Sequence, residues 1–216
     1  MAGYFHLASG SIECRLKKAP QIHVAASDTS VVYDHSKNQR QLDTLETDTV
    51  SPYGTSVQTH VGGLMAGEVS ISQNIRILQE SWPHLNAGCL YVDSIKVDIH
   101  IKPVIYIANE YPKDGCMYQA IMQHEKKHIE VDRRIVNKYT NIIITGLDKA
   151  FKKLGYMQGP FRIAELKQKQ EMMQQYSQDI VRHYSSEMSA ERRKLQQGVD
   201  NLKEYERVQS LCRGKR

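Results

Sequence analysis

The chain has 216 residues, 40% hydrophobic and 25% charged, an ordinary balance for a protein that buries its own core. Its apolar runs, such as Val104 to Ala108 and Ile142 to Ile144, break within a few residues. A membrane span requires roughly 20, so none is expected. The formal charge of +5 is modest. The basic clusters Arg192-Arg193-Lys194 and Arg213 to Arg216 lack the interleaved aromatic residues of a base-stacking surface, so nucleic acid is not an expected partner.

Residues 1 to about 70 are rich in Ser, Thr, Asp, Asn and Gly. They read as irregular β structure, with short pieces at Ile22 to Ala25 and Val31 to Tyr33 and turn chemistry at Ser51-Pro52-Tyr53-Gly54. Ile71 to Glu80 reads as a weakly helical stretch that stops before Pro83. From Ile95 to Lys102 apolar and polar residues alternate strictly, the period of a half-buried strand. Pro103 predicts a bulge, turn or edge position before a second β run, Val104 to Ala108.

From Asp114, a candidate N-cap, the period becomes helical: Met117, Ala120, Ile121, Val131 and Ile135 recur at three- and four-residue steps. The pattern runs toward Leu154, with Gly146 as a weak point. A second helix is predicted from Arg162 to about Gln197 and a short third one after Asp200. A turn near Met157 would set residues near 187 to 191 opposite residues 124 to 128, bringing Glu187, Glu191 and His183 toward that stretch. The expectation is one α+β domain, residues 1–216. Its β-rich, loop-rich part is 1–112, holding a small antiparallel sheet. Its helical part is 113–216, a long helix and an antiparallel C-terminal helix.

The four cysteines, Cys14, Cys89, Cys116 and Cys212, form no C-x-x-C pair. Two pairings suit their positions, Cys14 with Cys212 near the chain ends and Cys89 with Cys116 around the strand-rich segment; the alternative is four buried thiols. Met1 to His6 has neither the basic nor the apolar region of a secretory signal. A periplasmic or secreted mature form is expected, with a cytoplasmic protein as the alternative.

His124-Glu125-Lys126-Lys127-His128 carries the chemistry. Two histidines four apart on a helix point the same way and can grip one zinc ion. Glu125, next to the first, can reach a water on that ion without ligating it and act as general base. Chance would produce such a motif in roughly one sequence in fifty of this composition, so context must support it. Here it lies within a helical period, on the apolar stripe, directly after a β-rich segment. Asp132, one turn on, would stretch a ligand row to about 12 Å, too long for one ion, and reads as a supporting or salt-bridging group. His100, on the polar face of its strand, reads as solvated. Met172, Met173 and Met188 read as helix packing.

This motif after a strand pair resembles the zincin metallopeptidases over about residues 90 to 154. The resemblance implies a peptide or protein substrate held extended by the strand between Ile95 and Ala108. Neither the metzincin nor the thermolysin continuation follows His128, which leaves the third ligand open. Val199-Asp200…Glu204-Tyr205 after a long helix is similar to bacterial families of predicted secreted zinc-dependent proteases. That similarity puts Glu204 third, with His124 and His128, and Tyr205 beside it as an oxyanion donor; Glu187 and Glu191 remain alternatives. Asn201 to Glu204 also fits a capping box. The expected function is zinc-dependent peptide hydrolysis. A helical interaction module with an inactive or incidental motif is the alternative, because residues 162 to 197 form a long Gln-rich helix suited to a partner.

Overall fold

A computed structural model of the chain describes residues 5–7, 10–54 and 60–213. The N-terminal residues 1–4, and 214–216 of the basic run that begins at Arg213, lie outside the described residues. The elements in order are strands β1 (Phe5–Leu7), β2 (Gly10–Ile12), β3 (Gln21–Asp28) and β4 (Val32–Asp34), helix α1 (Gln39–Leu42), β5 (Gly63–Trp82), a 3₁₀ turn (Pro83–Leu85), β6 (Ala87–Ile107), α2 (Cys116–Leu154), β7 (Met157–Arg162), α3 (Ile163–Val199) and α4 (Leu202–Ser210). No helix of the described residues is long and apolar enough to cross a membrane.

The α+β class stands, but the sheet is neither small nor antiparallel throughout. It has five strands, with β3, β4, β5 and β7 all pairing with β6. β6 is 21 residues long and β5 is 20. β4 runs parallel to β6, Val32 opposite Val104. β7 runs antiparallel, Ala87 opposite Arg162. The parallel pair escapes a local reading because its strands are some 70 residues apart and need a long crossover. β5 replaces the expected helix at Ile71 to Glu80. Ile71, Ile75 and Leu78 mimic helical steps, yet residues 71 to 78 alternate half-buried and exposed, the period of two that sheet burial imposes. Only residues 83–86 separate β5 from β6, so the paired strands form a hairpin.

The chain divides into two compact units, one of residues 1–25, 71–98 and 139–186, the other of 26–70, 99–138 and 187–216. In the first unit, Ile12, Cys14, Ala87, Cys89 and Tyr91 form a buried cluster with Trp82, Leu85 and Met157 packed against it. Cys14 and Cys89 are disulfide-bonded. On α2, Ile143, Leu147 and Phe151 repeat every four residues and are fully buried. Phe151 stacks on Tyr156 and meets Tyr176 of α3 edge-on. Gly146 is no weak point: a methyl there would lie 2.1 Å from the Tyr184 ring, so the missing side chain lets α3 approach α2.

In the second unit, Ile105 and Ile107 of β6 pack on Tyr118, Ile121 and Ile129 of α2. Pro103 lies inside β6 rather than ending it. The neighbouring strand changes there: Thr29, just after β3, bonds the Ile101 carbonyl, and pairing with β4 starts at Val104. A missing N–H at this seam costs no bond in the β4 ladder. The N–H of Gln119 bonds the carbonyl of Gly115, which makes Gly115 rather than Asp114 the N-cap of α2. The second disulfide joins Cys116 to Cys212. Both expected pairings are therefore replaced, and no described cysteine is free. Two disulfides are the mark of an oxidising compartment.

Candidate metal centre

The centre lies wholly within the second unit. α2 presents His124 and His128 from successive turns, both buried, with ring centroids 5.0 Å apart. Their Nε2 atoms converge to 3.4 Å. Asp200, in the link between α3 and α4, sets Oδ1 3.0 Å from Nε2 of His124 and 3.3 Å from Nε2 of His128. Its other oxygen accepts from the Thr49 hydroxyl at 2.5 Å. Ligands about 2.0–2.1 Å from a tetrahedral ion stand about 3.3 Å from one another, so these three atoms already span one face of such a site.

Glu204 reaches the site from the opposite direction. Its Oε1 is 3.4 Å from Nδ1 of His124, the nitrogen turned away from the converging atoms. Lys127 and Arg207 hold the same carboxylate at 2.6 and 2.7 Å. Asn201 caps α4 by accepting from the Glu204 N–H, the backbone half of the expected capping box. Tyr205 packs its ring edge-on against His124 at 5.6 Å and against Tyr53 at 5.9 Å.

Glu125 completes a buried His-Glu-His group whose donor atoms lie within 4.8 Å of one another, an arrangement that can hold a metal ion. Oε2 of Glu125 accepts from the backbone N–H of Met65 at 2.8 Å. Gly63 makes this approach of β5 to α2 possible, since a methyl there would stand 2.3 Å from Ile121 and 2.9 Å from Oε1 of Glu125.

The electrostatics follow from this packing. Burial disfavours charge on both imidazoles, but the Asp200 carboxylate outweighs it and both stand above their usual values. Burial likewise opposes charge on Asp200, yet its bonds to the two histidines hold it well below the carboxylate range. Arg207, ahead of Lys127 and His124, holds Glu204 down at about 2. Burial raises Glu125 against the pull of the neighbouring histidines and the Met65 N–H. Burial, then the charges of Asp200 and Glu125, raise the Tyr205 phenol, so it stays protonated at neutral pH.

The remaining sequence candidates sit elsewhere. His128 faces Gln196, Asp132 faces Arg192 and Lys138 faces Glu191, so α2 and α3 run in opposite directions here. This register is about ten residues from the one that placed 187 to 191 opposite the motif, because β7 fills the connection expected to be a simple turn. Glu191 therefore pairs with Lys138, while His100 bonds Ser27. Asp132, read as a salt-bridging group, is gripped through both oxygens by Arg192. Asp200 and Gln196 were not singled out as ligand or partner. Gln196 carries no signal beyond its place near the end of a helix, and Asp200 only that place and its membership of the Val199-Asp200…Glu204-Tyr205 stretch.

A cleft of about 850 Å³ fronts the centre. Residues 46–51 and 60–68 line it, with Met117, Ile121, Tyr205 and Val208 among the apolar groups. No protein-family model, curated protein or solved structure matches the chain.

Proposed function

We propose that this chain is a zinc-dependent peptidase of zincin type, exported to the periplasm or beyond, with His124, His128 and Asp200 as ligands and Glu125 as general base. The observation that carries the reading is the convergence of Nε2, Nε2 and Oδ1 to 3.0–3.4 Å, beside a buried glutamate and an open cleft. Two nitrogens and a carboxylate oxygen in that arrangement fit zinc. Bound there, zinc supplies Lewis acidity, bringing the pKa of a water to about 7 and polarising a carbonyl. Glu125, with its carboxyl raised by burial, accepts the proton of the attacking water and returns it to the leaving amine. Tyr205, protonated throughout the neutral range, donates to the oxyanion. Glu204 holds the Nδ1 side of His124 and so orients that ring.

The substrate strand is assigned to a different element from the one the resemblance implied. β6 is paired with β4 at Val104 to Tyr106 on one side and with β5 on the other. Among the described residues β5 pairs with β6 alone. Its outer edge at residues 64–68 lines the cleft, so an extended peptide adds there through main-chain hydrogen bonds. Metal analysis tests the core of the reading: about one zinc per chain, lost in His124→Ala, is expected. With zinc retained, Glu125→Gln should lower peptide hydrolysis by about 10²- to 10⁴-fold. A purified protein that takes up no zinc, or a Glu125→Gln variant with full activity, refutes it.

A further inference from the structure

Behind His128 lies a buried polar chain that the proposed chemistry does not use. Nδ1 of His128 is 2.5 Å from Oε1 of Gln196. Nε2 of Gln196 donates to Oδ1 of Asp132 at 2.6 Å and to the His128 carbonyl at 3.1 Å. Arg192 donates to both oxygens of Asp132, at 2.6 and 3.1 Å, and also pairs with Asp48. Gln196 and Asp132 are 2% and 1% exposed, so these partners must satisfy one another without bulk water.

The donor and acceptor inventory allows one arrangement of this chain. A carboxylate gripped by a guanidinium accepts and does not donate, and a backbone carbonyl can only accept. The amide group facing both must therefore be the NH₂ of Gln196, which turns Oε1 toward the ring. An amide oxygen accepts, so Nδ1 of His128 must carry the hydrogen. With zinc bound, Nε2 is then left to present its lone pair to the metal position between the converging atoms.

We propose that Gln196 is a positioning residue that fixes His128 in the Nδ1–H tautomer, with Asp132 and Arg192 deciding which way its amide faces. The inference rests on the metal-site reading above. A neutral amide does here what a carboxylate would do less well. A glutamate at 196 would set two carboxylates 2.6 Å apart, whereas glutamine offers an acceptor to the ring and donors to Asp132 at once. Second partners of this kind typically change metal affinity by about 10- to 100-fold.

The test uses the full chain and zinc alone. Gln196→Met keeps the side-chain volume and removes both polar ends; its zinc dissociation constant, measured by competition with a chelator, should rise about 10- to 100-fold while the metal-free protein melts cooperatively. In zinc-loaded wild type, long-range ¹H–¹⁵N correlation should show His128 with a slowly exchanging Nδ1 proton. The opposite tautomer in that spectrum overturns the inference whether or not any variant folds. Equal zinc affinity in wild type and Gln196→Met overturns it too and leaves the metal site standing. A wild type that binds no zinc takes down both.

Discussion

The two units are each closed by one disulfide, yet they treat buried polarity in opposite ways. Among the described residues, the buried polar side chain of the first unit is Ser177, satisfied by Gln73. The second unit buries His124, Glu125, His128, Asp132, Gln196 and Asp200; all but Glu125 are joined in one hydrogen-bonded network, and Glu125 stands beside its two histidines. Burying a charge costs several kcal/mol unless it is paired and bonded, so a fold needing only stability would not gather these groups in one place. On the proposed reading, the first unit serves as a scaffold and the second as the site. That contrast can be broken by experiments that separate stability from metal binding.

The disulfides should divide most sharply. Cys14–Cys89 and Cys116–Cys212 close loops of 75 and 96 residues, so removing either as a double alanine variant costs about 4 to 5 kcal/mol by the chain-entropy model. Denaturant melts should register both losses. Zinc affinity should fall only for the second pair, because Cys212 ties the segment that follows α4 to the first residue of α2. Equal zinc binding in both variants would erase the distinction between the units.

A second pair of substitutions pulls the same properties apart. Phe151→Ala empties a fully buried site in the first unit and should cost about 3 to 5 kcal/mol with zinc affinity unchanged. Asp200→Ala should, by contrast, weaken zinc binding by about 10²- to 10³-fold, the share of one ligand in a structural-zinc binding free energy. Glu204→Ala, at the far nitrogen of His124, should cost about tenfold. If Glu204→Ala proved the more damaging, the ligand assignment would have to be exchanged. Thr49→Val is the mildest of this series. It removes the hydroxyl bonded to Asp200 and should lower zinc affinity up to about tenfold at a cost of about 1 kcal/mol in stability.

What the sequence discloses about these units follows the range of the interaction involved. The pair His124 and His128, with Glu125 between them, is legible because one helical turn sets its geometry, and the alternation from Ile95 to Lys102 is legible for the same local reason. β5 is not, since Ile71, Ile75 and Leu78 fit a helical step while Leu78 falls on the exposed face of the strand, and only a neighbour in space decides between the two periods. The cysteine pairing is not, because Cys14 meets Cys89 of β6 across 75 residues of sequence rather than through any local spacing. Asp200 and Gln196 lie beyond reach for a related reason: β7 shifts the register of α3 against α2 by about ten residues. Glu204 comes to the far nitrogen of His124 and Asp200 to the near one, and which of the two faces the converging atoms is set by that register.

The first unit's titration gives the smallest effect and still bears on the contrast. Burial, then the hydrogen bond and charge of Glu80, push the Tyr91 phenol up to about 12, while the Lys17 hydrogen bond holds Glu80 below its usual value. Tyr91 loses its proton near 10 when unfolded and near 12 when folded, so the unfolded chain binds fewer protons between those limits. Its contribution to stability is therefore complete below pH 10 and is lost as the pH rises through about 12. Phenolate absorbance of wild type minus Tyr91→Phe reads this directly. Replacing Glu80 with Gln should lower the Tyr91 value only part of the way toward 10, because burial, the larger cause, remains. A return all the way to 10 would mean that the carboxylate alone held the phenol neutral. The first unit would then contain a charge-organised centre of its own, and the division of labour between the two units would fail.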